Sequence, residues 1–568
     1  MKRLRAFLAI CLCVAMTMST LAGCGTKTTT DNTSAAETSK STEASAAQTT
    51  AADKETESDS AEGITYPLDT DVTLRIYVQG GINLPSAYTD WEDVPFTKGL
   101  EEKWGVDIIW ECAPAGADNT ASYNLMLQDE DLPQIVWGKK CATSNIEQLI
   151  DDGVAMDISG YLEEYAPDYW AYMHNPDDEY RVKDLALATT KYGLTHFIGP
   201  RDTPENGTWA GVAVRKDWLD ALGLDIPTTL EEVDTVARAF YEEYGAVVTG
   251  AYSYYNNCHF MADGVGAMAS FKWNAYVEDG EIKCANIEPE WKDYLEFMHQ
   301  WYVDGILDQN FSGVGVSAMD QMVNEGNTGL VCTAATRIPV HNATAEELNN
   351  GAVWVAIPPT VQNEGDVARA SHATYSAWAG EAGSFITTNC TEEQLIVALE
   401  ILNWGYTEEG MIYWNYGEEG VSFEYDENGV PHFTDLIRNN ELGITQARYT
   451  YTGAGGNTLA SAQLWDMLVD VYGEELKEAT ETFRYNSVAS DYRVPTLTYS
   501  DEVSSTYNDL NNAISTYIEE MALKFVTGEE SLDNFDDYVA TLKGMGLDTL
   551  MEIMNDAYDD FVERAGLE

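Results

Sequence analysis

The chain has 568 residues, 95 of them acidic against 31 basic, for a formal net charge of −64 at pH 7. A body this acidic repels nucleic acid and anionic lipid, and it disfavours polyanionic ligands unless a local basic cluster intervenes; the sequence shows no such cluster. The length exceeds what one hydrophobic core holds, so two or three domains or lobes are expected.

Lys2, Arg3 and Arg5 open the chain, an apolar run from Ala6 to Met18 follows, and Leu21-Ala22-Gly23-Cys24 closes it with small residues before a cysteine. A charged start, an apolar stretch too short to span a bilayer and a small-residue cleavage site describe a secretory signal over residues 1–23. The ending resembles the bacterial lipobox, which implies that Cys24 is lipidated and becomes the first mature residue. Residues 24–65 are mostly Thr, Ser, Ala, Glu and Lys. They carry too little apolar surface to offset the entropy of ordering, so they read as a flexible tether with a reach on the order of 35 Å. No later apolar run approaches the ~20 residues a membrane helix needs.

The body begins with alternating strands and helices. Val72–Val78 is a β-branched run, and Phe96, Leu100 and Trp104 mark one face of a short helix. Val106–Glu111, residues 121–128, Gln134–Gly138 and residues 144–150 repeat the alternation, which predicts a largely parallel sheet covered on both faces. Further strands are expected at Tyr192–Pro200, Gly211–Arg215, Gly329–Thr333 and around Val353–Pro359. Thr229 with Glu232, and Thr391 with Gln394, have the spacing of capping boxes that start helices. Asp426-Glu427-Asn428-Gly429 between two short β-prone runs is a hairpin signal. The last quarter reads as three helices, near 501–527, 532–543 ending at Gly544, and 548–565.

Catalytic signatures are missing. The seven histidines are scattered without H-x-x-x-H spacing, and there is no G-x-S-x-G elbow, phosphate-binding loop or G-x-G-x-x-G opening a helix. Asp426-Glu427-Asn428-Gly429 also resembles the start of a calcium loop, but its twelfth position is Ile437 rather than Glu. No cofactor or metal is therefore expected. Six cysteines in the body (Cys112, Cys141, Cys258, Cys284, Cys332, Cys390) lack C-x-x-C spacing and read as free thiols, with one or two disulfides left open. Aromatic residues make up 11% of the chain, and many stand in polar, loop-like contexts suited to stacking on the C–H faces of sugars. Tyr88, Trp91, Trp209, Tyr254, Trp273, Trp378, Trp414 and Tyr416, with Arg337 as a hydrogen bonder, form the candidate ligand-binding set.

The phrase Val214-Arg-Lys-Asp-Trp-Leu-Asp-Ala-Leu-Gly-Leu-Asp-Ile-Pro-Thr-Thr-Leu-Glu-Glu232 resembles the large extracellular sugar-binding lipoproteins of bacterial ABC importers, a family that includes maltose- and alginate-oligosaccharide-binding proteins. Tyr416-Gly-Glu-Glu-Gly-Val421, Tyr425-Asp-Glu-Asn-Gly429, and Phe525-Val-Thr-Gly528 through Met545-Gly-Leu547 to Tyr558 resemble the same family. The alginate-binding members' calcium loop is not matched, because Tyr244-Gly-Ala-Val-Val-Thr-Gly250 lacks an acidic cluster.

The resemblance implies an α/β fold of the two-lobed, type II periplasmic-binding-protein kind, with mixed sheets flanked by helices and a helical C-terminal region. The first lobe is expected over 67–205 with 368–415 returning to it and the second over 206–367, while 416–568 packs across both. The resemblance also implies a non-enzymatic monomer, lipid-anchored on the extracellular face of the cell membrane. It would pass a carbohydrate or related polar solute to ABC permease subunits served by a cytoplasmic ATPase, with no nucleic-acid partner. A peptide receptor of the same kind, a secreted glycoside hydrolase or lyase, and a wall-binding module are the alternatives.

Overall fold

The computed structural model describes residues 63–79, 84–113, 118–138, 146–203, 208–250, 261–370, 383–453, 460–495 and 497–566. The leader, the tether up to residue 62 and Cys24 lie outside the described residues, as do Cys141, Tyr254, Cys258 and Trp378. The described elements belong to one unit, Ile64–Glu568. Among them no helix is long and apolar enough to cross a membrane.

The strands in chain order begin with β1 (Thr73–Val78), β2 (Asp107–Cys112), β3 (Ile135–Gly138), β4 (Thr189–Thr190), β5 (Gly193–Leu194) and β6 (Phe197–Ile198). Next come β7 (Ala210–Arg215), β8 (Val247–Gly250), β9 (Ala275–Glu278), β10 (Glu281–Cys284), β11 (Thr328–Ala334) and β12 (Trp354–Ala356). The last are β13 (Gly383–Ile386), β14 (Phe423–Tyr425) and β15 (Pro431–Phe433). Two larger sheets organise the body, one in the order β2-β1-β3-β13-β6 and one in the order β12-β7-β11-β8.

Both sheets are mixed. β1 pairs parallel with β2 and β3, and β8 pairs parallel with β11. β13 runs antiparallel to β3 and β6, and β7 antiparallel to β11 and β12. The largely parallel sheet expected from the opening alternation is therefore corrected at β13, a strand that returns from far along the chain.

Each sheet carries its own core. Leu74, Ile76, Leu100, Trp104, Ile135, Trp137, Phe197, Ile386, Leu399, Leu402 and Trp404 pack about the first. Val214, Leu219, Val233, Phe240, Trp291, Leu295, Trp301, Val331 and Trp354 pack about the second. The helix Leu230–Tyr244 starts in the reciprocal Thr229–Glu232 box, buries Val233, Val236, Ala237 and Phe240, and stops at Gly245, whose φ of 68° favours glycine. The helix Glu392–Trp404 starts in the same way at Thr391 and Gln394. The β14–β15 hairpin closes through Asp426 N–H donating to the Val430 carbonyl at 2.9 Å.

The C-terminal region divides between cores. Tyr416, Phe423, Phe433, Ile437, Ala447 and Met467 form a small core of their own. The helices Asp501–Thr527, Phe535–Met545 and Leu547–Ala565 pack on the second core through Ile514, Ile518, Phe525, Tyr538, Leu542, Leu550 and Met554. The middle one ends at Gly546 rather than Gly544, because Gly546 takes the positive φ. Arg564 reaches back to the first core's side, pairing with Glu147 at 3.2 Å and donating to the Thr189 carbonyl. Cys112, Cys284, Cys332 and Cys390 are free thiols, and burial pushes Cys284 and Cys390 up to about 12.

Candidate binding cleft

The pairing register places Val78, Cys112, Gly138, Ile198 and Gly383 along one edge of the first sheet. Ala210, Gly250 and Ala334 line one edge of the second. These are the carboxyl ends of the parallel strands, where open α/β sheets receive ligands. The chain leaves the first edge at Ile198 and enters the second at Ala210. Gly138 belongs at its edge for a steric reason: a Cβ there would collide with the Gln79 side chain.

The polypeptide passes between cores again after Ala356, returning at Gly383, and a third time beyond Ala460. The first and third passages run side by side. Arg201 and Gln463 form a parallel bridge, with Gln463 N–H donating to the Pro200 carbonyl at 2.9 Å and Asp202 N–H to the Gln463 carbonyl at 3.1 Å. Asp202 then accepts Trp465 N–H, capping the helix Trp465–Tyr472. The Arg181 guanidinium donates to the Arg201 carbonyl and pairs with Asp184 at 2.9 Å, both side chains being buried. This short ribbon has the geometry of a hinge, a few residues absorbing a rotation between packed bodies.

The predicted site residues separate into two groups. Trp209 immediately precedes β7 at the second edge, half-buried, its carbonyl accepting Ala335 N–H at 2.8 Å. Arg337 opens the helix that follows β11 and pairs with Asp320 at 2.5 Å. Tyr88 is half-buried against the first core in the stretch after β1, and Trp273 is half-buried against the second.

Three other rings lie in cores. Trp91 is 8% exposed, Trp414 2% and Tyr416 1%. Trp414 meets Phe96 and Trp137 edge-on at 5.2 and 5.5 Å, and Tyr416 lies between Phe423 and Phe433. Neighbouring rings cover Trp414 and Tyr416, and Trp91 is buried in the first core, which corrects the expectation that they stack on a guest. Composition could not separate the two groups, because a core ring and a platform ring look alike in sequence. Asp202, Arg181 and Gln463 were missed altogether, since their partners lie far away along the chain.

Among the described residues no group of three or more His, Cys, Asp or Glu is arranged to hold a metal ion. Where the alginate-binding resemblance would place a calcium loop, Gly245 and Ala246 lead directly into β8. That stretch does not fit a metal.

Comparison with known proteins agrees with this architecture. Residues 90–412 match the family model for the bacterial extracellular solute-binding proteins, and the chain belongs to that family. It is 23% identical over 475 residues to Lipoprotein LipO of Bacillus subtilis, covering 82% of this chain and 88% of that one. It is 24% identical over 230 residues to the polygalacturonan/rhamnogalacturonan-binding protein YtcQ of the same organism, covering 40% of this chain and 43% of YtcQ. The structure of the alginate-binding protein AlgQ2 without calcium ion superimposes with a TM-score of 0.69 at 21% identity, covering 87% of this chain and 99% of that one. An HMO-binding, ABC-transporter-associated solute-binding protein from Bifidobacterium longum infantis superimposes with a TM-score of 0.67 at 16% identity, covering 86% and 98%. The fold is the type II periplasmic-binding-protein kind, with mixed sheets and a helical C-terminus.

Proposed function

We propose that this member of the extracellular solute-binding proteins captures an oligosaccharide between its two sheets and delivers it, unaltered, to an ABC importer. The observation that carries the reading is the side-by-side pairing of two passages between the cores, at Pro200–Asp202 and Gln463–Trp465. A body built this way changes its lobe equilibrium by as much as its guest prefers one arrangement, and a permease can read the difference. In this reading the first lobe comprises 67–205 with 368–415 and the second 206–367. Tyr88, Trp209, Trp273 and Arg337 contact the guest, joined by Tyr254 and Trp378. The chain works as a monomer tethered through acylated Cys24 to the outer face of the cell membrane.

A thermal-shift screen of the secreted chain against oligosaccharides and peptides tests this. A true ligand at 100 times its Kd stabilises by about 2.7 kcal/mol. Saturable binding of a saccharide without release of reducing ends supports the receptor. Turnover of the saccharide would establish a glycosidase, and a response to peptides alone would establish a peptide receptor. Palmitate labelling that vanishes in Cys24→Ala checks the anchor.

A further inference from the structure

The helix Leu547–Ala565 serves both bodies. Its first half packs on the second core through Leu547, Leu550 and Met554. There Asn555 exchanges two hydrogen bonds with β10, accepting Ile282 N–H at 2.7 Å and donating to the Ile282 carbonyl at 3.1 Å. By Arg564 the same helix has reached the first body. Arg564 Nη1 donates to the Glu147 carboxylate at 3.2 Å and to the Thr189 carbonyl at 3.1 Å, while Nε reaches the Asp560 carbonyl of its own helix at 3.3 Å. Glu147 is also held from its own side, because its carboxylate accepts Lys191 N–H at 2.9 Å.

The contact stands at a defined distance from the hinge ribbon. On the helix Glu179–Ala188, Arg181 near the start holds the Arg201 carbonyl of the ribbon, and Thr189 at the end takes Arg564. The arm from Arg181 to Thr189 is about 12 Å at about 1.5 Å per residue, so a turn of about 20° across it moves its far end by about 4 Å. A pair at 3.2 Å does not survive that displacement. The contact therefore exists over a narrow range of lobe angles. It can also part: the helices Glu179–Ala188 and Leu547–Ala565 touch, yet the Arg564 and Glu147 side chains keep 24% and 11% of their surface exposed. Water at that rim can take up both charges once they separate, which a sealed interior would not allow.

We propose that Arg564, Glu147 and the Thr189 carbonyl form a latch that favours the lobe angle of this structure, so that the C-terminal helix sets how readily the two bodies turn. The inference rests on the two-lobe reading above and goes beyond it: the ribbon permits a rotation, and the latch gives one angle an energetic preference. A guest that favours another angle has to overcome the latch, and a guest that favours this angle gains from it. Arg564 is then a positioning residue that acts on affinity through the lobe equilibrium, without touching the guest.

Small-angle X-ray scattering on the secreted chain without any added solute tests the latch, with melting curves recorded alongside. Arg564→Ala is expected to shift the radius of gyration of the folded chain, and Glu147→Ala to shift it in the same direction. The double variant should go no further than Arg564→Ala, because the single change already removes every bond across the seam. Arg564→Lys, which keeps the charge, should lie closer to the native chain. An unchanged radius in Arg564→Ala overturns the proposal, even if the variant melts earlier, since a purely structural contact would lower the melting temperature alone. Opposite shifts in the two single variants, or shifts that add in the double one, overturn it as well. If the native curve requires more than one lobe angle and no variant alters it, only the latch fails. If a single rigid arrangement fits the native chain and every variant, the hinged reading fails with it. Should Glu147→Ala not fold, Arg564→Ala and Arg564→Lys still decide the question.

Discussion

Asp202 and Trp465 stand 263 positions apart in the chain, yet both Asp202 carboxylate oxygens accept the Trp465 backbone N–H at 2.9 Å. The contact is a helix cap supplied by one inter-core passage to another. It joins the start of a helix to the ribbon about which the bodies are expected to turn.

Replacing Asp202 with Ala should therefore act twice. Losing the cap costs about 1 kcal/mol, read as a lower urea midpoint. Freeing the ribbon should also alter the ligand-induced change in radius of gyration measured by solution scattering. Asp202→Asn, which keeps one acceptor oxygen, should fall between native and Ala. A scattering response identical in all three chains would remove Asp202 from the hinge.

The two groups of aromatic rings predict opposite phenotypes. Trp414 is enclosed by Phe96 and Trp137, so Trp414→Ala should cost about 3–5 kcal/mol of stability. Trp209, half-buried at the second edge, should lose much less stability as Ala but weaken ligand binding tenfold or more. Melting curves and titrations on both variants give the comparison, and an unaffected Kd in Trp209→Ala would take that ring out of the site.

Asp184 and Arg181 form a buried ion pair beneath the ribbon. Asp184→Asn leaves a buried cation undercompensated, and a loss of about 3–5 kcal/mol is expected. The double variant Arg181→Met with Asp184→Leu should be less damaged than the single one, since no charge is stranded. Chemical denaturation of the three chains measures the coupling.

His196 is buried beside β13, and burial lowers its pKa from the ordinary 6.5 to about 4. The folded state therefore binds fewer protons than the unfolded chain between those values. The stability it contributes is complete above pH 6.5 and drains away as pH falls toward 4. Between pH 7.5 and 4.5 this one group accounts for a loss of about 2–3 kcal/mol. Denaturation at both pH values should show a smaller difference in His196→Leu than in the native chain; an unchanged difference would mean that His196 does not titrate this way.

Local features were legible in sequence because neighbours along the chain determine them. The capping boxes at Thr229–Glu232 and Thr391–Gln394 formed as their spacing predicts, since each needs only residues within one turn. The hairpin at Asp426–Gly429 formed for the same reason. The Gly544 helix end failed narrowly: two glycines lay within reach, and tertiary packing set which took the positive φ.

The candidate site was only partly legible. Trp209 and Arg337 stand beside β7 and β11, strands that were readable from β-branched runs. Trp91, Trp414 and Tyr416 were misplaced, because whether a ring meets other rings or solvent depends on elements contributed from elsewhere in the chain.

Sequence alone determined the class of this protein: an extracellular binding family, a strongly acidic body, and helices and hairpins that begin where short-range hydrogen bonds place them. Only the tertiary structure decided which strands turn the sheets mixed, which rings lie in cores, and how Asp202 meets Trp465. The physical reason is range. Caps and turns are local interactions, whereas burial, ion pairing and hinge contacts exist only once distant segments have been brought together.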